Sequence, residues 1–292
     1  MLAPTYTIRA DAPPPMPWDD YANLVTAEYV RLINLGNTPE AELQGFLERN
    51  PSFVPGAWTP GVTSGHTPFL SAVISQPTLC GTMQFQPDFL WISTHSLEWF
   101  PTFVEIERPN KRTFKGSKLE VTSFFAQARN QLAQWRTWFD EPANCQTFVE
   151  RFRIPDLLRN RKMTLHFVLV YGRRGEFEGN RQKTRHRANL QDQGTTLVSL
   201  DRLMPIRESA NMMTVRLGAD GRVKCVAVPP TFRLGPNIAD DLLLIEDIEP
   251  AIERNDLISL ERRAFLNERL EYWRNWSRSN EPHVIGGGPC WE

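Results

Sequence analysis

Three carboxylates stand out in the stretch QPDFLWISTHSLEWFPTFVEIERPNKRTFKGSK, residues 86–118. Asp88 opens one apolar run, and Glu105 and Glu107 lie inside a second. Successive side chains alternate faces on a strand, so Glu105 and Glu107 share a face with Phe103, while Val104 and Ile106 share the other. Two neighbouring carboxylates repel, and burial adds to the cost. A divalent cation offsets both, because hard ions such as Mg²⁺ take oxygen ligands. Asp88, on an adjacent strand, can supply a further oxygen. The alternative is a pair of surface glutamates on an edge strand, neutralised by Arg108 or Lys111.

Cations follow at once: Arg108, Lys111, Arg112, Lys115 and Lys118. The net charge of the 292-residue chain is only −1, but residues 105–190 hold 18 basic and 9 acidic side chains. A basic middle between acidic flanks creates a positive field that the average conceals, and such a field attracts phosphates. The segment RQKTRHR, 181–187, either extends that surface or is an exposed basic loop, with His186 read as a surface residue. Cys80, Cys145, Cys225 and Cys290 are widely spaced and read as reduced thiols rather than a zinc site.

Helices and strands must position these groups. Residues 1–17 are Pro-rich and read as a loose arm. A first helix is expected over 18–35, with Leu24, Val25, Tyr29, Leu32 and Ile33 inward. A second follows, with Thr38 as N-cap, Pro39 at the first helical position, and Leu43, Phe46 and Leu47 inward. Glu40 is seven residues before Leu47, within about 20° of it on the helix. That places an acid at the edge of the buried face, where it also complements the helix dipole. Residues 52–86 read as a long irregular connection. Strands are expected near 88–93 and 102–107, then a helix over 117–139 bearing Gln127, Gln131 and Gln134. MTLHFVLVYG reads as a buried central strand and TTLVSLDRL as a strand entering a short helix. Beyond 205, a hairpin turns at Asp220-Gly221, and an amphipathic helix presents Leu260, Leu266, Leu270 and Trp273.

The expected fold class is therefore α/β, a mixed sheet flanked by helices. It comprises an N-terminal helical arm (1–37), a core (38–204) and an α+β C-terminal extension (205–292) that is a candidate oligomer contact. No apolar run is long enough to span a membrane and no signal peptide is evident, so a soluble cytoplasmic protein with no membrane partner is expected.

The segments EAELQGFLERNPSF, PDFLWI, VEIERPN and NQLAQWRTWF, in that order, resemble the Shedu anti-phage defence nucleases of the PD-(D/E)XK nuclease superfamily. The resemblance implies a restriction-endonuclease-like core and Mg²⁺- or Mn²⁺-dependent cleavage of DNA by a homo-oligomer, dimer or tetramer. Carried over by position, Asp88, Glu105 and the backbone carbonyl of Ile106 would hold the metal. Gln131, with Trp135 one turn on, would be the helix element, and Glu40 the accessory acid. Arg108, Lys111, Arg112, Lys115 and Lys118 would meet the nucleic acid. Glu107 stands where the family usually has lysine. Either Glu107 takes part in catalysis, or Lys111 replaces the missing cation, or the chain binds nucleic acid without cutting it. A DNA-repair nuclease would use the same chemistry.

Overall fold

The computed structural model describes residues 5–81, 83–279 and 292. The chain begins with helices α1 (Trp18–Asn34) and α2 (Glu40–Arg49). Strands β1 (Thr67–Pro68), β2 (Ala72–Ser75), β3 (Phe89–Thr94) and β4 (Glu98–Ile106) follow. Next come α3 (Ser123–Asp140), α4 (Pro142–Arg151) and α5 (Asp156–Arg159). Strands β5 (Lys162–Met163) and β6 (His166–Val170), helix α6 (Arg181–Asn189) and strand β7 (Thr195–Val198) complete this half. The remainder holds β8 (Met213–Leu217), β9 (Val223–Ala227), α7 (Asp241–Leu244), β10 (Ile245–Glu246), α8 (Ile248–Glu253) and α9 (Leu260–Arg278).

The described strands form one mixed sheet in the order β10-β9-β8-β2-β3-β4-β6-β7, with β1 on β3 and β5 on β4. β8, β2, β4, β6 and β7 run in one direction, and β3 and β9 run against them. One face packs Phe89, Trp91, Val104, Ile106 and Val168 under α1 and α2. The other packs Leu90, Phe103, Phe167, Leu169 and Val215 under α3 and α9. The α/β architecture with a helix-flanked mixed sheet is as expected. The hairpin with its Asp220-Gly221 turn also forms, and β8 pairs with β2 in the same sheet. No helix among the described residues is long and apolar enough to cross a membrane.

Several expectations need correction. β2 lies inside the stretch read as irregular, and all four of its residues are buried. β4 starts at Glu98 and runs through Pro101, which opposes Ile92. Proline is tolerated there because Pro101 falls between the pairing of β4 with β5 at 98–99 and with β6 from Thr102 onward. α3 begins at Ser123, not 117: the Thr122 hydroxyl accepts the Phe125 N–H at 3.2 Å, while Phe114 and Val121 pair to fold 114–121 into a small turn. Thr38 does not cap α2; it is buried and donates to the Leu32 carbonyl, closing α1 instead, and α2 starts one residue after Pro39. Leu24 and Leu260 are 46% and 79% exposed, and Tyr21 and Trp276 fill the stripes instead.

The arm is not loose within its described part. Arg262 donates to the Pro13 carbonyl at 2.6 Å and Arg269 to that of Thr7 at 2.7 Å, strapping residues 5–17 across α9. The segment 181–187 is helical rather than a loop, with Asn180 accepting the Lys183 N–H at 3.0 Å. Cys80, Cys145 and Cys225 are free thiols, and Cys290 lies outside the described residues.

Candidate active site

The carboxylates converge where β3 begins and β4 ends. β3 starts at Phe89, opposite Val104, so the Ile106 N–H lies just beyond the backbone partners of β3. Asp88 Oδ2 takes that N–H at 2.7 Å, which places the Ile106 peptide beside the carboxylate. Glu105, which shares the face of Phe103, lies under α3, where Gln131 Nε2 donates to its Oε1 at 2.9 Å. Trp135, one turn further along α3, is fully buried with its ring 6.3 Å from that of Phe103, and this packing fixes where Gln131 points. Gln127 and Gln134 are exposed and do not reach the cluster.

Glu105 Oε2 is buried and has no hydrogen-bond partner among the described residues. An isolated buried carboxylate oxygen is costly. Burial, then the charges of Asp88, Glu107 and Glu40, hold the Glu105 carboxyl well above its ordinary range despite the Gln131 bond. Asp88 is pushed up to about 7, by burial first and then by Glu40 and Glu107, with the Ile106 N–H and Lys111 pulling the other way. Four acids thus sit in one another's field with too little positive charge among them.

Glu107 continues along β6, its N–H bonded to the Val170 carbonyl at 3.0 Å, and its carboxylate accepts from Lys111 Nζ. The Lys111 ammonium lies 5.8 Å from the centre of the Phe124 ring. Glu40, at the start of α2, meets Arg108 Nε at 3.3 Å. Asp88, Glu105, Glu107, Gln131, Glu40 and Lys111 are therefore gathered at one end of the sheet.

Among the described residues, no three His, Cys, Asp or Glu side chains form a ready-made metal-binding group. Asp88 and Glu105 are the two carboxylates that could hold a metal ion there. That suits Mg²⁺, which is commonly held by one or two carboxylates, with waters and substrate phosphate oxygens completing its shell. The all-oxygen donors, the local negative charge and the orphaned Glu105 Oε2 fit such an ion.

A family model described as Shedu protein SduA, C-terminal, matches residues 37–204. The chain belongs to this Shedu family. Neither the comparison with curated proteins nor that with solved structures returned a match. Membership suggests a role in Shedu anti-phage defence, and the matched residues include every member of the carboxylate cluster.

The basic loop of this Shedu chain is only partly available. Arg108, Lys111 and Lys115 pair with Glu40, Glu107 and Glu120, whereas Arg112 and Lys118 are exposed and form no ion pair among the described residues. Two cations of 181–187 are turned inward: Lys183 donates to the Gly116 carbonyl at 2.6 Å, and Arg187 to Thr113 Oγ1 at 2.7 Å. Glu176 accepts the N–H groups of Thr113 and Phe114 at 2.9 and 2.7 Å. Glu176, Lys183 and Arg187 thus shape the basic loop. Nothing in sequence spacing marks Glu176. Gln44 and Glu48, four and eight residues after Glu40 on one face of α2, could have been found by helical periodicity.

Proposed function

We propose that this chain is a metal-dependent endonuclease that hydrolyses phosphodiester bonds of DNA, acting as a homo-oligomer in Shedu defence on a restriction-endonuclease-like core. The observation that carries this reading is the buried, partnerless Glu105 oxygen within the field of Asp88, which itself takes the Ile106 N–H at the β3–β4 junction. A bound Mg²⁺ or Mn²⁺ would polarise the phosphoryl group and lower the pKa of the attacking water. Asp88 and Glu105, with the Ile106 carbonyl, would hold it. Gln131 keeps Glu105 in one rotamer. Lys111, held by Glu107, brings positive charge from four residues downstream to the place usually served by the family's lysine, and there it orients a phosphate oxygen. Glu107 accepts the proton of the attacking water. Glu40 and Arg108 border the site from α2, while Arg112, Lys115 and Lys118 draw in the backbone.

The glutamate at 107 favours one other reading, a nucleic-acid-binding module that has lost cleavage. The test is to incubate wild type, Asp88→Ala and Glu105→Ala with supercoiled and linear DNA in Mg²⁺, Mn²⁺ or EDTA. Metal-dependent cutting by wild type, reduced at least ~10²-fold in both variants, is expected. Retained cutting in both overturns the site assignment. Binding without cutting in any metal, together with cutting gained by Glu107→Lys, supports the second reading.

A further inference from the structure

A second polar network lies at the same end of the sheet. Glu48 Oε1 accepts from Arg216 at 2.7 Å, from Gln44 at 3.4 Å and from the Ser75 hydroxyl. Gln44 also reaches Ser75 Oγ at 3.2 Å. Ser75 is fully buried, and it ends β2 opposite Phe89, the residue after Asp88. Arg216, on β8, is 47% exposed at its side chain while Glu48 is only 15% exposed. An exposed guanidinium is thus held by a mostly buried carboxylate, which is itself held by a serine and a glutamine. Arginine carries five N–H donors, so the pairing with Glu48 leaves others directed outward.

Helix α2 links the two sites. Its Glu40 meets Arg108 beyond the end of β4, and its Glu48 meets Arg216 on β8. Eight residues of helix span about 12 Å. β4 to β8 is three strand steps of ~4.8 Å, or about 14 Å, so α2 lies across the strand ends. Lys224 on β9 stands directly opposite Arg216 in the β8–β9 register. Like charges facing each other across strands are destabilising. Lys224 pairs with Asp247 at 3.9 Å between exposed groups, a pair worth little.

We propose that Arg216 and Lys224 form a phosphate-contact site that carries the DNA backbone onward from the carboxylate cluster, on the side opposite the 108–118 loop. The inference rests on the nuclease reading above and assigns a substrate contact to residues outside the matched 37–204 span. Two strand steps separate β3 from β8, about 10 Å, or three stacked nucleotides at 3.4 Å each. Arg216 provides a directed, bidentate-capable fork and Lys224 a point charge.

The test is the salt dependence of binding to a fluorescein-labelled duplex, measured on the full chain in EDTA so that nothing is cut. Arg216→Gln and Lys224→Gln should each lower the slope of log Kobs against log[salt] by about 1. Affinity at moderate salt should fall roughly threefold to tenfold in each. Arg216→Lys should keep the wild-type slope, and so should Glu48→Gln and Arg278→Gln, the last on α9 across the sheet. A structural role for the Arg216–Glu48 pair would instead lower the melting temperature equally in Arg216→Gln and Glu48→Gln and leave both slopes unchanged. Unchanged slopes in Arg216→Gln and Lys224→Gln, with wild type binding, overturn this inference alone. Failure of wild type to bind duplex or single strand overturns the inference and the nuclease reading together.

Discussion

Asp88→Asn is expected to raise the stability of the metal-free protein at pH 8 while abolishing the cleavage proposed above. Asparagine keeps an oxygen for the Ile106 N–H, so the strand junction is preserved. What it removes is a carboxylate pushed up to about 7 by burial and by its acidic neighbours, from an ordinary value of 3.8. The folded chain then binds that proton more tightly than the unfolded chain, so stability falls as pH rises from about 4 to 7, and the full penalty remains above 7. A rise from 3.8 to about 7 corresponds to at most ~4 kcal/mol, and about half of that is expected, because Glu105 shares the same repulsion. Thermal denaturation in EDTA should show Asp88→Asn melting several degrees higher at pH 8, with the difference shrinking toward pH 4. Mg²⁺ should stabilise wild type and not the variant, because only a bound ligand shifts the folding equilibrium. A variant that melts lower than wild type at pH 8 would show that the cluster is not under electrostatic strain.

Arg187→Met should lose about 3 to 5 kcal/mol, the range for removing one partner from a buried charged network. The side chain is 7% exposed. It donates to Thr113 Oγ1 and to the Tyr171 carbonyl at 2.7 Å each, and to the Val198 carbonyl at 3.3 Å. These acceptors belong to the basic loop, the residue after β6 and the end of β7, so one guanidinium ties together three segments. Methionine matches the apolar stem but leaves buried oxygens unpaired. Burial lowers the Arg187 pKa to about 10, so the group is charged at neutral pH and its bonds are charge-assisted. A large drop in denaturation midpoint is expected, with faster proteolysis within 108–122. A loss below about 1 kcal/mol would mean that Glu176 holds the loop by itself.

The contrast between Asp88 and Arg187 shows what the sequence made legible. The placement of Asp88, Glu105 and Gln131 could be read because it depends on local rules: strand alternation, a helix repeat and a fixed order of short motifs. Their meeting at one point then follows from a hairpin and a helix packed on it. Arg187 and Lys183 have no such signature. A basic run looks the same whether its cations face water or backbone carbonyls, and α6 has no apolar stripe to announce itself. Ser75 was hidden for another reason: β2 is four residues long in a stretch rich in glycine, proline, serine and threonine. Thr38 shows a third limit, since a residue suited to cap the helix that follows was taken by the helix that precedes it. The strapping of the arm by Arg262 and Arg269 depends on contacts about 250 residues apart, which no local pattern carries.

The parallel pairing of β8 with β2 also bears on how the sheet edge is protected. β2 is buried along its whole length and is closed on one side by β3 and on the other by β8. The family match stops at 204, nine residues before β8. A chain ending there would expose β2 as a bare apolar edge with unmet N–H and C=O groups, a template onto which another copy could add its own strand. The C-terminal third thus covers the edge of β2 that the matched segment alone would leave bare.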